Sequence, residues 1–358
     1  MIFHVVSLPH TQTTKDFVNC AYTEKVRRFC NMMKSLGHTV YLYAGEQNEA
    51  DCDELITCIT EEQRIKSLKG KHFTSGSFDS RQPHWMLFNA NVVREIQKRA
   101  GKKDFICLIG GSAQKIIADS FPEMISVEFG VGYAGVFSKF RVFESYSWMH
   151  SIYSQYKNAS EADGHFFDAV IPGYLDPEMF PLVKEKEDYY FFIGRLIDRK
   201  GWKIAQQVCE KLGKRLIVAG PGEFSGYGEY VGPVGPEERA KLMGNAIATF
   251  VPTLYIEPFG NVNIESQACG TPVITTDWGA FTETVEQGKT GYRCRMFEDF
   301  CKAAEDVKSL NPEYIRNRAI SLYSVDTVKY QYEKYFYNLS KLWGEGWYEE
   351  DIITHQMV

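Results

Sequence analysis

The sequence predicts an α/β protein of two domains, each built on an open parallel sheet. Three observations carry this. At 358 residues the chain is too long for one ordinary hydrophobic core. Its first 44 residues alternate strand, loop, helix and strand, which is a βαβ unit. The same alternation restarts near Tyr189, after a stretch rich in proline and charge.

The elements follow in order. Residues 2–8 form an apolar first strand, 9–16 a polar loop, and 17–36 a helix stopped by Gly37, with Val26, Phe29, Met33 and Leu36 on one side. Residues 39–44 form the second strand. Residues 46–83 are polar and mixed, without a firm period. A helix over 85–99 leads to a strand over 105–109 that ends in Gly110 and Gly111. The strand over 125–129 is followed by Gly130, Gly132 and Gly135, a flexible loop where α/β sheets bind ligands. A last N-terminal strand covers 166–171. Pro172, Gly173, Pro177 and Pro181, then the charged run 184–188, mark the linker.

The second domain opens with a strand over 189–193 and a loop from Gly194 to Gly201. A helix to Leu212, a strand over 215–219, a Gly220-Pro221-Gly222 loop, a helix over 237–243 and a strand over 248–251 come next. The β-branched run 273–276 is a buried strand. Residues 318–341 read as one long Tyr-rich helical region, and the tail 342–358, with Trp343 and Trp347, is aromatic enough to dock.

Composition excludes several classes. Hydrophobic content of 44% with 24% charged residues describes an ordinary globular chain, and a net charge of −6 gives no support to a nucleic-acid surface. Nine scattered cysteines without a C-x-x-C pair predict mostly buried thiols in a reducing compartment. No apolar run approaches the roughly 20 residues of a membrane span, and residues 1–8 do not make a signal peptide. These points lead us to expect a cytoplasmic location, with peripheral membrane attachment left open.

The chemistry is placed in residues 257–272, which read EPFGNVNIESQACGTP. Glu257 sits in a loop broken by Pro258 and Gly260. Glu265 opens a short helical run that must stop before Gly270-Thr271-Pro272. A loop feeding a helix beside a strand end is an anion-binding arrangement. A solvated carboxylate pair flanking a packed helix is the plainer reading of that spacing alone. An acid/base couple would need facing carboxyls, which spacing cannot establish. Arg195 and Lys200, in the loop bounded by Gly194 and Gly201, suit a diphosphate, or form a surface basic cluster with Arg199. The GxGxxG and GxxxxGK fingerprints are absent. The eight histidines make no H-x-x-x-H or H-E-x-x-H pattern, so no metal site is expected. His84 reads as structural before it reads as catalytic. Glu283, after the strand over 273–276, could cap a helix or bind a ligand.

Taken together, Gly194-Arg195-Leu196, Lys200-Gly201, the run from Glu257 to Asp277, and Glu283 resemble retaining glycosyltransferases of the GT-B fold, family 4. The resemblance covers about residues 191–286. It is thinner in the N-terminal half, where Ile171-Pro172-Gly173-Tyr174-Leu175-Asp176 and Phe180 are similar to the family's interdomain segment.

The resemblance implies two Rossmann-like α/β/α domains facing a cleft: 1–183 for the acceptor, 189–335 for the donor, and a segment 336–358 crossing back to the first. It implies a metal-independent hexosyl transfer from a UDP- or GDP-sugar to a glycan, lipid-linked or small-molecule acceptor, with no prosthetic group. Carried over by position, Arg195 and Lys200 contact the donor diphosphate, Glu257 holds the sugar hydroxyls and Glu265 the ribose. Gly194 and the backbone of Phe259, Gly260, Asn261, Val262 and Asn263 complete the donor site. The sequence departs from the pattern in the first loop, PHTQTTKD, which lacks the usual Gly-Gly pair, and at Val127-Glu128-Phe129-Gly130, which lacks the usual His. Glu128 is the candidate substitute there, and His84 a second acceptor-side candidate. Rival readings are an epimerase or sugar phosphorylase on the same fold, or a non-catalytic glycan- or nucleotide-binding module.

Overall fold

The computed structural model describes residues 1–18, 20–76 and 78–343. Its backbone divides into two compact units. The first holds 1–143, 155–171 and, among the described residues, 329–343; the second holds 144–154 and 172–328.

In the first unit, β1 (Ile2–Val6), α1 (Ala21–Ser35), β2 (Thr39–Ala44), β3 (Glu54–Thr57), α2 (Glu61–Leu68), α3 (Pro83–Gln97), β4 (Phe105–Leu108), α4 (Lys115–Asp119), β5 (Ile125–Val131) and β6 (Phe140–Phe143) follow one another. Then α5 (Tyr146–Tyr153) falls to the second unit and β7 (Ala169–Val170) closes the first sheet. Its order is β3-β2-β1-β4-β5-β6-β7, and each described pairing is parallel. Central strands such as Phe105-Ile106-Cys107-Leu108 are buried throughout, as parallel strands covered on both faces require. On α3, Trp85, Phe88, Val92 and Ile96 recur at helical spacing and are wholly buried.

The structure corrects several expected boundaries. The helix expected from residue 17 starts at Ala21, because Lys15–Phe17 closes a separate 3-10 turn and Cys20 is extended. The polar stretch 46–83 contains β3, a four-residue edge strand with both end residues exposed, and α2, begun by a Thr60–Gln63 capping box. The strand expected over 166–171 shrinks to Ala169–Val170. β6 escapes a hydrophobic pattern because it carries Arg141, whose charge is met by Asp168 at 2.6 Å, with both side chains buried.

The second unit runs β8 (Tyr190–Ile193), α6 (Trp202–Leu212), β9 (Leu216–Ala219), β10 (Glu229–Gly232), α7 (Pro236–Asn245), β11 (Thr249–Val251), α8 (Asn261–Ala268), β12 (Val273–Thr276), α9 (Phe281–Thr284), β13 (Gly291–Cys294), α10 (Phe297–Asp306) and α11 (Pro312–Tyr323). Its sheet is ordered β10-β9-β8-β11-β12-β13, again parallel in each described pair. Leu175 and Phe180, from the stretch read as a linker, sit in a core cluster with Tyr189, Phe191 and Ile264. That stretch therefore packs as part of the second unit.

The region read as one helix over 318–341 is two, α11 and α12 (Val325–Ser340). Ser324 between them is extended, because Leu175 bonds across it: its amide donates to the Tyr323 carbonyl, and its carbonyl accepts from Val325. From residue 329, α12 lies in the first unit, where Phe336 meets Phe3 at 4.8 Å and Phe105 at 5.0 Å between ring centroids. The docking expected of the tail falls, from residue 344 on, outside the described residues. All nine cysteines are free thiols and seven are buried. Among the described residues no helix is long and apolar enough to cross a membrane, and no group of three or more metal-ligating side chains gathers.

Candidate active site

Strand β8 ends in the loop that carries Gly194 to Lys200. Two glycines fix its path. Gly201 has φ +72°, and a Cβ there would lie 2.0 Å from the Pro252 carbonyl oxygen. Gly220 has φ +122° and a Cβ would overlap the Gly194 carbonyl, so the Gly220-Pro221-Gly222 loop lies directly on Gly194. The Leu196 amide donates to the Pro221 carbonyl at 2.9 Å, tying the two loops together.

A 3-10 turn over Asp198–Lys200 turns Lys200 toward the loop after β11. Its Nζ donates to Oε2 of Glu257 at 3.0 Å. Glu257 is 8% exposed. Tyr255 completes the group: the Lys200 ammonium sits 4.9 Å and the Arg199 guanidinium 4.6 Å from its ring centroid. Burial disfavours the Lys200 charge, but Glu257 and Tyr255 more than offset this, and its pKa stands above the usual lysine value. Burial raises the Tyr255 phenol, with Glu257 adding to the effect. Arg195 is exposed at the same loop.

Gly260, with φ +86°, turns the chain into α8. The helix begins at Asn261, so Glu265 lies in its middle and does not open it as the sequence reading had it. First-turn amides of a helix have no partner within it, which leaves those of Asn261 and Val262 for an external acceptor. The side chains behind them are committed to the core. Asn263 donates to Thr284 Oγ1 at 2.7 Å and accepts from Gln267 at 2.7 Å. Phe259 is buried against Tyr323, and Gly173 packs on its ring too closely to admit a Cβ. Glu265, 6% exposed, is met by the Arg239 guanidinium from α7.

The two acceptor-side candidates lie in the first unit. Glu128, on β5, is fully buried; its Oε2 accepts from the amides of Phe137 and Ser138 at 2.8 Å each, and its Oε1 from the Tyr133 hydroxyl at 3.1 Å. Burial pushes its pKa up to about 7, against the lowering effect of those hydrogen bonds. His84 begins α3 with its Nε2 buried and unpartnered, and burial lowers its pKa. An aromatic series links the two neighbourhoods: Trp85 to Phe78, Phe78 to Tyr22, and Tyr22 to Tyr133, at centroid distances of 5.7, 5.4 and 5.7 Å.

Lys200 and Glu257 are thus brought into contact, with Gly194 and Arg195 on the same loop as Lys200 and the α8 amides following Glu257. Sequence reasoning missed Tyr255 and Arg239. Tyr255, two residues before Glu257, could have been found from its place between the strand over 248–251 and the loop; nothing in the local sequence marks Arg239.

Comparison with known proteins then adds the relationship. Residues 178–318 match the family described as glycosyl transferases group 1. An uncharacterized glycosyltransferase of Methanocaldococcus jannaschii, MJ1607, is 29% identical over 126 residues, covering 30% of this chain and 32% of that protein. The chain spans about a third of the length of the first curated relatives it matches. Solved structures cover nearly all of it. AviGT4, a glycosyltransferase involved in avilamycin A biosynthesis, superposes with a TM-score of 0.65 at 18% identity, over 95% of this chain and 98% of that one. HepE of Anabaena, in complex with UDP-glucose, gives 0.61 at 14% identity, over 94% and 100%.

The fold is GT-B.

In this GT-B chain, both Lys200 and Glu257, and every donor-side candidate from Gly194 to Glu265, fall within the group 1 region.

Proposed function

We propose that the chain is a metal-independent, retaining glycosyltransferase of family 4 that moves a hexosyl unit from a nucleoside-diphosphate sugar to a hydroxyl acceptor. The observation that carries this reading is the Lys200–Glu257 contact at 3.0 Å, beside the start of α8 and on the same loop as Arg195. A fixed ammonium and a fixed carboxylate, brought within 3.0 Å from two separate loops, offer two complementary functions: a cation for phosphate oxygens and an acceptor for sugar hydroxyls.

In the proposed reaction the bond from the anomeric carbon to the diphosphate oxygen breaks, and its electron pair stays on that oxygen. Arg195 and Lys200 stabilise the charge that builds there. This is the task a divalent metal performs elsewhere, and here two side-chain cations suit it. The acceptor hydroxyl oxygen bonds the anomeric carbon on the face the diphosphate leaves, and its proton passes to the leaving phosphate oxygen. Glu257 orients the sugar through its hydroxyls, the Asn261 and Val262 amides assist, and Glu265 holds the ribose. In this reading the second unit takes the donor and the first unit, which holds Glu128 and His84, takes the acceptor.

HepE was solved with UDP and with UDP-glucose, which makes a uridine donor the first to test; a GDP-sugar is the other. The test is calorimetric binding of UDP-, GDP-, ADP- and dTDP-sugars, followed by an assay of acceptor-dependent release of nucleoside diphosphate. Binding of one donor, with release only when acceptor is present, supports transfer. Release of monosaccharide epimer or of sugar phosphate in its place would reject it.

A further inference from the structure

The short helix α9 leans on the main chain of Glu257. The Ala280 amide donates to the Glu257 carbonyl at 3.1 Å, and a Cβ on Gly279 would lie 2.7 Å from the Glu257 nitrogen. The Glu283 carboxylate on α9 reaches the first turn of α5. It accepts from the Tyr146 amide at 2.9 Å, the Ser147 amide at 2.7 Å and the Ser147 hydroxyl at 2.7 Å.

Helix α5 already has its own cap. Ser145, 1% exposed, accepts from the Trp148 amide at 3.0 Å, and its hydroxyl donates to the Pro258 carbonyl at 2.6 Å. Glu283 therefore takes the two amides that Ser145 leaves over. The contacts close a ring: Glu257, Ala280, Glu283, Ser147, Ser145, Pro258 and back to Glu257. Capping alone would need no bond from Ser145 to Pro258. The residues that supply it, 144–154, are an excursion of the first unit's chain into the second.

We propose that Glu283 is a positioning residue for Glu257. By holding the first turn of α5 against Pro258, it fixes the main chain from which the Glu257 carboxylate meets Lys200. The inference rests on the transfer reading, in which Glu257 grips the donor sugar.

The test uses the full chain with Glu283→Ala, Glu283→Gln and Ser145→Ala. Turnover in Glu283→Ala should fall roughly 10- to 100-fold, the scale set by small displacements of a reacting group. Affinity for the nucleoside diphosphate alone, measured by calorimetry, should stay within about threefold, because the sugar-holding carboxylate is not part of that contact. Glu283→Gln, which keeps one acceptor oxygen, should recover turnover in part. Ser145→Ala should reproduce the loss, and the double variant should lose no more than the worse single one, as members of one network do. The backbone amides of Asn263 and Ala280, which bond the Gly260 and Glu257 carbonyls, should exchange faster in both alanine variants. If Glu283→Ala does not fold, Ser145→Ala carries the same expectations. Wild-type turnover in a folded alanine variant, or a fall in diphosphate affinity that matches the fall in turnover, would overturn the proposal. If the wild-type chain binds and transfers from no nucleotide sugar, the transfer reading fails. The positioning claim then stands or falls on exchange, and unchanged protection at the Asn263 and Ala280 amides defeats it.

Discussion

Lys200 and Glu257, 57 residues apart in sequence, share a 3.0 Å hydrogen bond in the candidate active site. The raised Lys200 pKa means that the ammonium stays charged across the neutral range. Lys200→Ala should lower turnover by roughly 10²–10³, the cost of losing a transition-state donor. A folded variant assayed with its donor and acceptor checks this. Near-normal turnover would remove Lys200 from the mechanism. The sign of the pH effect follows from the raised value: the pair's stabilisation is complete below the ordinary lysine pKa and is lost only as pH climbs through the higher folded one.

Gly201 makes a separate prediction. Its φ of +72° and the carbonyl of Pro252 leave no place for a side chain. Gly201→Ala should destabilise the second unit by more than about 1 kcal/mol and should displace Lys200 with it. Donor affinity and the urea midpoint should drop together; a variant with unchanged values of both would show that the loop relaxes freely.

Buried charge pairs cost most when half is removed. Asp168→Ala would strand Arg141, which also donates to the Tyr156 hydroxyl at 2.6 Å, in the interior of the first unit. Burial works against the Arg141 charge, yet Asp168 more than offsets it and raises the pKa. Loss of about 3–5 kcal/mol is expected, read as a lower urea midpoint for the first unit. A change under about 1 kcal/mol would mean that other partners hold the guanidinium.

Glu128 predicts a pH profile. Its folded pKa of about 7 lies above the unfolded carboxyl value, so between these two values the folded state holds a proton that the unfolded state has released. Stability should therefore fall as pH rises from about 4.5 to about 7 and level off beyond, by roughly 3 kcal/mol for this group. Glu128→Gln should flatten that slope when urea midpoints are compared at pH 5 and pH 8. An equal slope in both proteins would assign the effect elsewhere.

Local order in the chain was enough for the βαβ alternation, for the buried strands with continuous apolar runs, and for the loops holding Arg195, Lys200 and Glu257. Those signals are carried by neighbours in sequence: periodicity, glycine at turns, proline at helix stops. Elements whose burial depends on distant partners were not legible. β6 carries an arginine that only Asp168 makes tolerable, β3 and β10 are sheet edges with polar faces, and the break at Ser324 exists because Leu175 bonds across it.

The same division runs through the candidate site. By itself the sequence determined which charged residues flank which glycines, because a loop's turn chemistry is written within a few residues. It left Glu283 open between a cap and a ligand contact. Only the tertiary structure decided that it caps α5, that Tyr255 lies under two cations, and that Arg239 meets Glu265. Each of these is a contact between groups far apart along the chain, and its energy depends on distance and burial that exist only once the second unit has folded.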